Sequence, residues 1–181
     1  KSIASTYVNL DRPFIMLRFS SFNAHHDKGI KGISNEMALK LIRSLSASLD
    51  INITSERALP AELEKYRLRI NPLNIHHVMA FANLYIGDSQ TMAAEAGVLG
   101  VPFIRLNDFV DRLGYLKELE NEYQLGFGFK PCQQEQMVEK AISMASDKLI
   151  REKWITKREK MLKDKIDVAA FLTWFIENYP S

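Results

Sequence analysis

The sequence of 181 residues has a single cysteine, Cys132, and no long apolar run. A lone cysteine excludes a disulfide within the chain and favours a reducing compartment, so we expect a cytoplasmic protein. The apolar stretches are far shorter than the roughly 20 residues that a membrane-spanning helix needs, and the start shows no signal-peptide pattern. We therefore expect no segment that spans a membrane.

The chain also has little excess charge, because 24 basic and 22 acidic residues leave a net charge of +2. This balance does not indicate a surface for binding nucleic acid. The 46% of hydrophobic residues is ordinary for a globular protein, and the length allows one sizeable core. The chain begins at Lys1 without Met, so we expect it to be part of a longer protein; whether it forms a homo-oligomer stays open.

Short apolar, β-branched segments alternate with amphipathic segments along the chain. We predict strands at residues 14–19, 51–54, 68–70, 84–86, 103–106 and 125–129. We predict helices at residues 61–66, 72–82, 134–146, 150–163 and 168–178, an Ala-rich helix between the fourth and fifth strands, and a partly helical segment at 107–123. A further helix, which either Ser34 or Asn35 could cap, has apolar residues at helical spacing from Met37 to Leu49. This alternation predicts an α/β fold: a doubly wound, Rossmann-like parallel sheet of about six strands with helices on both faces.

The most informative segment is residues 84–104, which we interpret as a strand, a small polar turn, an Ala-rich helix and a second strand. The helix begins beside the hydroxyls of Ser89 and Thr91, and a helix N-terminus with its free amides suits a phosphate or diphosphate. Glu95 follows one turn later, where a carboxylate can accept hydrogen bonds from sugar hydroxyls. The pattern therefore favours a nucleotide-sugar site, although Asp88 and Ser89 are also common residues of a simple helix cap.

Two other segments contain candidate functional residues. The loop after the first strand has His25, His26 and Lys28, which are candidates for catalysis by acid–base chemistry or phosphate contact. Adjacent histidines are poorly spaced for joint metal ligation, so we expect no metal and no cofactor. Arg105 ends the fifth predicted strand, where it either pairs with a carboxylate or faces a phosphate; both remain open.

The helix at residues 72–82 contains His76 and His77. Their i,i+1 spacing gives no reason to expect joint ligation, and we expect one to pack or cap at the sheet edge and the other to be solvated. Residues 168–178 are apolar on almost every side, which predicts a partner surface either on this domain or on another one. A membrane surface is a third and less favoured alternative, because the helix lacks a basic face.

Residues 88–96, followed by 99–102, resemble the signature of the C-terminal domain of GT-B glycosyltransferases. They are especially similar to that of the non-hydrolysing UDP-N-acetylglucosamine 2-epimerases. A poorly characterised prokaryotic family of predicted GT-B-like proteins is closer still, through residues 86–96, the loop 26–29 and the ending 174–180. The resemblance implies a GT-B C-terminal domain in residues 1–165, and a final helix in 166–181 that packs on it or on a missing N-terminal domain.

The resemblance also implies roles for individual residues. Ser89, Gln90 and Thr91 would meet the diphosphate of a nucleotide-diphosphate sugar, and Glu95 would meet the ribose. Gln90 and Thr91 stand where the epimerases have two glycines, which leaves the ligand undefined. We expect the donor-binding half of a glycosyltransferase, inactive alone. The alternatives are a non-catalytic nucleotide-sugar-binding or regulatory module and a UDP-sugar 2-epimerase-like enzyme.

Overall fold

A parallel sheet forms the centre of the protein in the computed structural model, which describes residues 1–21 and 32–179. Within these residues the sheet has five strands: β1 (Phe14–Phe19), β2 (Asp50–Ser55), β3 (Leu84–Gly87), β4 (Phe103–Leu106) and β5 (Gly126–Phe129). Their order is β2-β1-β3-β4-β5, and every neighbouring pair is parallel. In this register Leu17 lies opposite both Ile53 and Ile86.

Helices connect the strands and cover the sheet. The described α-helices are α1 (Asn35–Leu45), α2 (Ala61–Glu64), α3 (Ile75–Met79), α4 (Gln90–Val98), α5 (Gly114–Lys117), α6 (Gln134–Ser146), α7 (Ile150–Asp164) and α8 (Val168–Asn178). A π-helix at Glu118–Glu122 continues α5, and 3-10 turns occur at Ala4–Thr6, Pro72–Asn74 and Pro131–Gln133. Every residue of β3 and β4 is buried, as expected when both faces of a parallel sheet are covered. The predicted α/β fold class is therefore confirmed.

Local sequence explains where α1 and α4 begin and end. Ser34 caps α1 by accepting the Met37 N–H at 3.1 Å, and Met37 and Leu41 recur on the buried face. Gly100 follows the end of α4 with φ of +77°, a left-handed conformation that favours glycine. A Cβ at Gly97 would lie 3.0 Å from the Phe103 ring, so this glycine lets α4 pack close to β4.

The strand predicted at residues 68–70 is wrong, and this accounts for five strands in place of about six. The segment makes a single parallel bridge in which Arg67 lies opposite Ile53. The Ile53 N–H donates to the Tyr66 carbonyl, and the Leu68 N–H donates to the Ile53 carbonyl, both at 2.8 Å. The next carbonyl along β2 belongs to Ser55, the last residue of that strand, and the structure has it accepting from the Arg67 side chain at 3.5 Å. Pairing is therefore limited to one bridge.

The strand order identifies where this sheet can hold a ligand. In a 2-1-3-4-5 sheet the connections run in opposite directions from β1 and β3, which leaves a crevice at the carboxyl ends of these two strands. The loop after β1 and the turn from β3 into α4 both lie at this edge. The fold thus brings the segment of residues 87–95 to the topological switch point.

The two C-terminal helices differ in burial. α7 buries Ile150, Trp154 and Met161, whereas α8 has no buried residue although it is largely apolar. In the described ranges, no helix is both long enough and apolar enough to cross a bilayer.

Candidate functional site

The N-terminus of α4 forms the centre of the site. β3 ends at Gly87, and Ser89 caps α4 with its hydroxyl oxygen, which accepts the Met92 N–H at 3.4 Å. The amides of Gln90 and Thr91 are among the first four of the helix, which have no partner inside a helix. The predicted cap and helix start are confirmed, and both lie at the carboxyl edge of the sheet.

Asp88 has a structural role that the sequence did not indicate. Its buried carboxylate accepts the Ser20 N–H at 2.6 Å and the Ile33 N–H at 3.2 Å, and its carbonyl accepts the Asn107 amide at 3.1 Å. Burial raises the pKa of Asp88 from 3.8 to about 6, although these amides and the Arg57 guanidinium act in the opposite direction. Asp88 therefore joins the end of β1, the entry to α1 and the end of β4.

Glu95 lies one turn into α4 and contacts a histidine of the preceding helix. Its Oε2 is 3.0 Å from Nε2 of His76, and the two side chains are 37% and 52% exposed. A pocket of about 410 Å³ opens beside them, within the size range of small-molecule sites. Its lining is mostly apolar and consists of His76, Thr91, Ala94, Glu95, Val98, Leu99 and Tyr115.

His76 is the site residue whose role the sequence did not predict. Its i,i+1 spacing from His77 forms no ligand pattern, but its partner in the structure is Glu95, 19 positions later. Only the tertiary structure, which brings the end of one side chain to the other, makes the two residues neighbours. Tyr115, on α5, reaches the pocket in the same way and gave no signal in the sequence.

Arg105 lies fully buried behind the first turn of α4. Its Nε and Nη2 donate to the two carboxylate oxygens of Glu120 at 2.5 and 3.0 Å, a bidentate pair. Its Nη1 donates to Oε1 of Gln90 at 3.4 Å. The geometry favours the carboxylate-paired alternative for Arg105, which reaches the candidate site only through the Gln90 side chain.

A second hollow lies on the other side of α4, next to Met92. It has a volume of about 530 Å³ and runs between the ends of β1 and β2 and the residues before Pro72. Three arginines and one glutamate line it: Arg18, Arg67, Arg69 and Glu56. Arg18 is paired with Glu56, and Arg67 is paired with Glu64, so most of the positive charge of this hollow is compensated within the chain.

The structure thus brings together Ser89, Gln90, Thr91 and Glu95 on the first turns of α4. His25, His26 and Lys28 lie outside the described residues. Among residues 1–21 and 32–179, no group of three histidine, cysteine or acidic side chains is arranged to hold a metal ion.

Sequence comparison with protein-family models and with curated proteins gives no match. Structure comparison does find similar proteins. The calicheamicin glycosyltransferase CalG4 matches with a TM-score of 0.59 at 19% identity, over 94% of this chain and 44% of that one. The spinosyn rhamnosyltransferase SpnG, complexed with thymidine diphosphate, matches with a TM-score of 0.54 at 13% identity, over 84% of this chain and 43% of that one.

A third similar structure is the UDP-GlcNAc 2-epimerase from Neisseria meningitidis bound to UDP-GlcNAc, with a TM-score of 0.50 at 15% identity. The match covers 90% of this chain and 47% of the epimerase. The chain therefore spans less than half the length of each of these structures. At these identities the likeness concerns the fold: this chain has the fold of one half of the GT-B glycosyltransferases and UDP-GlcNAc 2-epimerases, as its sequence predicted.

Proposed function

We propose that this chain is the donor-binding half of a GT-B-like glycosyltransferase and that it binds a nucleotide-diphosphate sugar at the N-terminus of α4. One observation is central: α4 begins at the switch point of the sheet, with Ser89 as its cap and Glu95 one turn further beside a pocket. Structures of the same fold are described with thymidine diphosphate and with UDP-GlcNAc. This likeness supports the ligand class.

The diphosphate is assigned to the first turn of α4. The free amides of this turn and the positive end of the helix dipole stabilise negative charge. The hydroxyls of Ser89 and Thr91 add donors beside them, and Arg105 donates to the side-chain oxygen of Gln90 from behind. In glycosyl transfer the leaving group is the nucleoside diphosphate, so donors placed here would stabilise the charge that develops as the glycosidic bond breaks.

The ribose is assigned to Glu95. Its carboxylate is more than one-third exposed and can accept hydrogen bonds from two neighbouring hydroxyls. In the ligand-free chain His76 contacts the same carboxylate, which keeps Glu95 oriented along the pocket wall. The pocket beside them, with a volume of about 410 Å³ and a mostly apolar lining, has room for a further part of the ligand next to the ribose.

In this proposal the binding site for the acceptor, and part of the catalytic chemistry, lie on another domain of the full-length protein. The chain matches less than half of each similar structure, so we assign the acceptor to an N-terminal domain. We assign α8 to packing against that domain, because its apolar side chains are all exposed here. His25, His26 and Lys28 remain the candidates for catalysis, and we place the enzyme in the cytoplasm with its nucleotide-sugar substrate.

Isothermal titration of the chain with UDP and UDP-GlcNAc tests the donor site. We expect saturable binding that Ser89→Gly and Glu95→Gln each weaken about tenfold, since each removes a hydrogen bond to a ligand group. Ser89→Gly is preferred to Ser89→Ala because glycine is nearly as good a helix cap. Matched controls are Ser143→Gly and Glu139→Gln on the exposed face of α6, which should leave binding unchanged.

Absence of binding to UDP, to UDP-GlcNAc and to thymidine diphosphate would contradict the donor site. Two further outcomes separate the alternatives in the full-length protein. Conversion of UDP-GlcNAc into UDP-N-acetylmannosamine identifies an epimerase, as for the Neisseria meningitidis enzyme of the same fold. Binding without transfer or epimerisation identifies a regulatory module.

A further inference from the structure

The Tyr85 hydroxyl is a buried polar group without a hydrogen-bond partner among the described residues. The side chain lies on β3 and is fully buried. Most buried polar groups in proteins are hydrogen-bonded, because an unsatisfied hydroxyl has lost its contacts with water. An unpaired tyrosine hydroxyl beside a candidate ligand site therefore calls for a functional explanation.

The Tyr85 ring points toward the N-terminus of α4. Tyr85 and Gly87 lie on the same face of β3, because side chains alternate along a strand. A Cβ added at Gly87 would lie 2.6 Å from the Tyr85 hydroxyl oxygen and 2.9 Å from the ring carbon that bears it. The ring thus runs over Gly87, two residues before Ser89. The Ser89 side chain has a small lowering effect on the pKa of Tyr85, in keeping with a position near the hydroxyl, although the two groups do not form a hydrogen bond in the ligand-free chain.

The tyrosine is available as a hydrogen-bond donor. Burial raises the pKa of Tyr85 well above its usual value, and the carboxylates of Asp88 and Glu95 raise it further, against the effect of Arg18. The hydroxyl therefore keeps its proton at neutral pH. The charged groups that act on the Tyr85 hydroxyl are Asp88, Glu95 and Arg18. Their combined effect leaves the hydroxyl protonated over the physiological pH range.

Ser89 can use this donor. A serine hydroxyl has two acceptor lone pairs and one proton. One lone pair accepts the Met92 N–H at 3.4 Å, which leaves the other lone pair and the proton. If Tyr85 donates to the second lone pair, the only remaining bond that Ser89 can make is to donate its proton outward.

We propose that Tyr85 is a positioning residue of the phosphate site. When a diphosphate binds, the Tyr85 O–H donates to Oγ of Ser89, and the Ser89 O–H donates to a phosphate oxygen. Gly87 provides the clearance that lets the tyrosine reach Ser89. The inference rests on the proposed function in taking the N-terminus of α4 as the phosphate site.

A double-mutant cycle with two probes, pyrophosphate and UDP, tests this role. We expect Tyr85→Phe and Ser89→Gly each to weaken binding about tenfold, and the double variant to bind no more weakly than Ser89→Gly alone. Tyr123→Phe is the control, because Tyr123 is also buried but lies at the amino end of β5, the opposite edge of the sheet. Without ligand, Tyr85→Phe should leave the thermal unfolding midpoint unchanged or raise it, since it removes an unpaired hydroxyl.

The inference is overturned if Tyr85→Phe binds pyrophosphate as the wild type does, if the two losses are additive, or if Tyr85→Phe lowers the unfolding midpoint.

The proposed function is tested separately. If the chain binds pyrophosphate but not UDP, the proposal that the ligand is a nucleotide is contradicted. The double-mutant cycle with pyrophosphate would still decide the role of Tyr85. If the chain binds UDP and Tyr85→Phe does not weaken that binding, the donor site is retained and the positioning role of Tyr85 is rejected. Binding of neither probe would reject both.

Discussion

The N-terminal region of α4 and the helix α8 depart in opposite ways from the usual distribution of residues. Around α4, polar side chains are buried: Arg105 and Asn107 are fully inaccessible and Asp88 is nearly so. On α8, apolar side chains such as Trp174 and Ile176 are exposed. Buried polar groups need partners and exposed apolar patches tend to bind something, so both regions are where interactions with other molecules are expected.

The two regions differ in whether these side chains have partners within the chain. Near α4 each of Asp88, Arg105 and Asn107 has hydrogen-bond partners within the chain, which makes the region rigid. The side-chain contacts seen on α8 join residues that are close in sequence. Asp167 caps the helix, and Phe171 stacks on Phe175. Substitutions near α4 should therefore change the stability of this chain, and substitutions on α8 should not.

The largest effect is expected from breaking the Arg105–Glu120 pair. Arg105→Ala leaves the Glu120 carboxylate almost buried without its partner, and we expect the free energy of unfolding to fall by about 3–5 kcal/mol. Urea denaturation measures this loss. Arg105→Met combined with Glu120→Gln should recover much of it, because no buried charge then remains. A loss below about 1 kcal/mol for Arg105→Ala would contradict the rigid arrangement behind α4.

The next effect is a pH dependence caused by Asp88. Its pKa is 3.8 in the unfolded chain and about 6 in the folded one, so between these values the folded state binds more protons. The contribution of Asp88 to the free energy of unfolding is therefore largest below about pH 4 and falls by about 3 kcal/mol as the pH rises through 6.

Urea denaturation of the wild type and of Asp88→Asn at several pH values between about 4 and 7 measures the Asp88 contribution. The wild type should lose stability relative to the variant as the pH rises, since asparagine does not titrate. A difference between the two proteins that is independent of pH would contradict the raised pKa.

A smaller effect is expected from Gly87→Ala. The new methyl group would overlap the Tyr85 hydroxyl and touch Cβ of Arg18, so we expect a loss of about 1–3 kcal/mol from overpacking. Thermal or urea unfolding measures it. Adding Tyr85→Phe to this variant should restore part of the loss by removing the closest atom. Equal stability of Gly87→Ala and wild type would show that Tyr85 does not need this clearance.

The smallest effect is expected on α8. Trp174→Ala should change the free energy of unfolding of this chain by less than about 0.5 kcal/mol, because the side chain is exposed. Trp154→Ala on α7 is the matched control and should cost several kcal/mol, since that ring is buried and its N–H donates to the Leu125 carbonyl at 2.6 Å. If the two substitutions are equally destabilising, the contrast between the regions does not hold.

Local patterns in the sequence were sufficient for most of the elements. The bounds of α6 and α8 agree with the prediction, and the caps Ser34 and Ser89 are each among the candidates that the sequence offered. A cap and a helical apolar face depend on residues within about four positions, which is why local sequence predicts them. The segment at residues 68–70 is apolar enough for a strand, but whether it pairs depends on its neighbours in space. Only one bridge forms, because its partner strand β2 ends two residues later, at Ser55.

By itself, then, the sequence determined the alternation of strands and helices and the position of a helix N-terminus with two hydroxyls and Glu95. The tertiary structure decided what these groups contact. It paired His76 with Glu95 and Arg105 with Glu120, buried Asp88 between three connections and laid the Tyr85 ring over Gly87. These contacts join residues on different elements, except where Tyr85 passes over Gly87. They depend on the strand order and on how the helices pack, which no local pattern specifies.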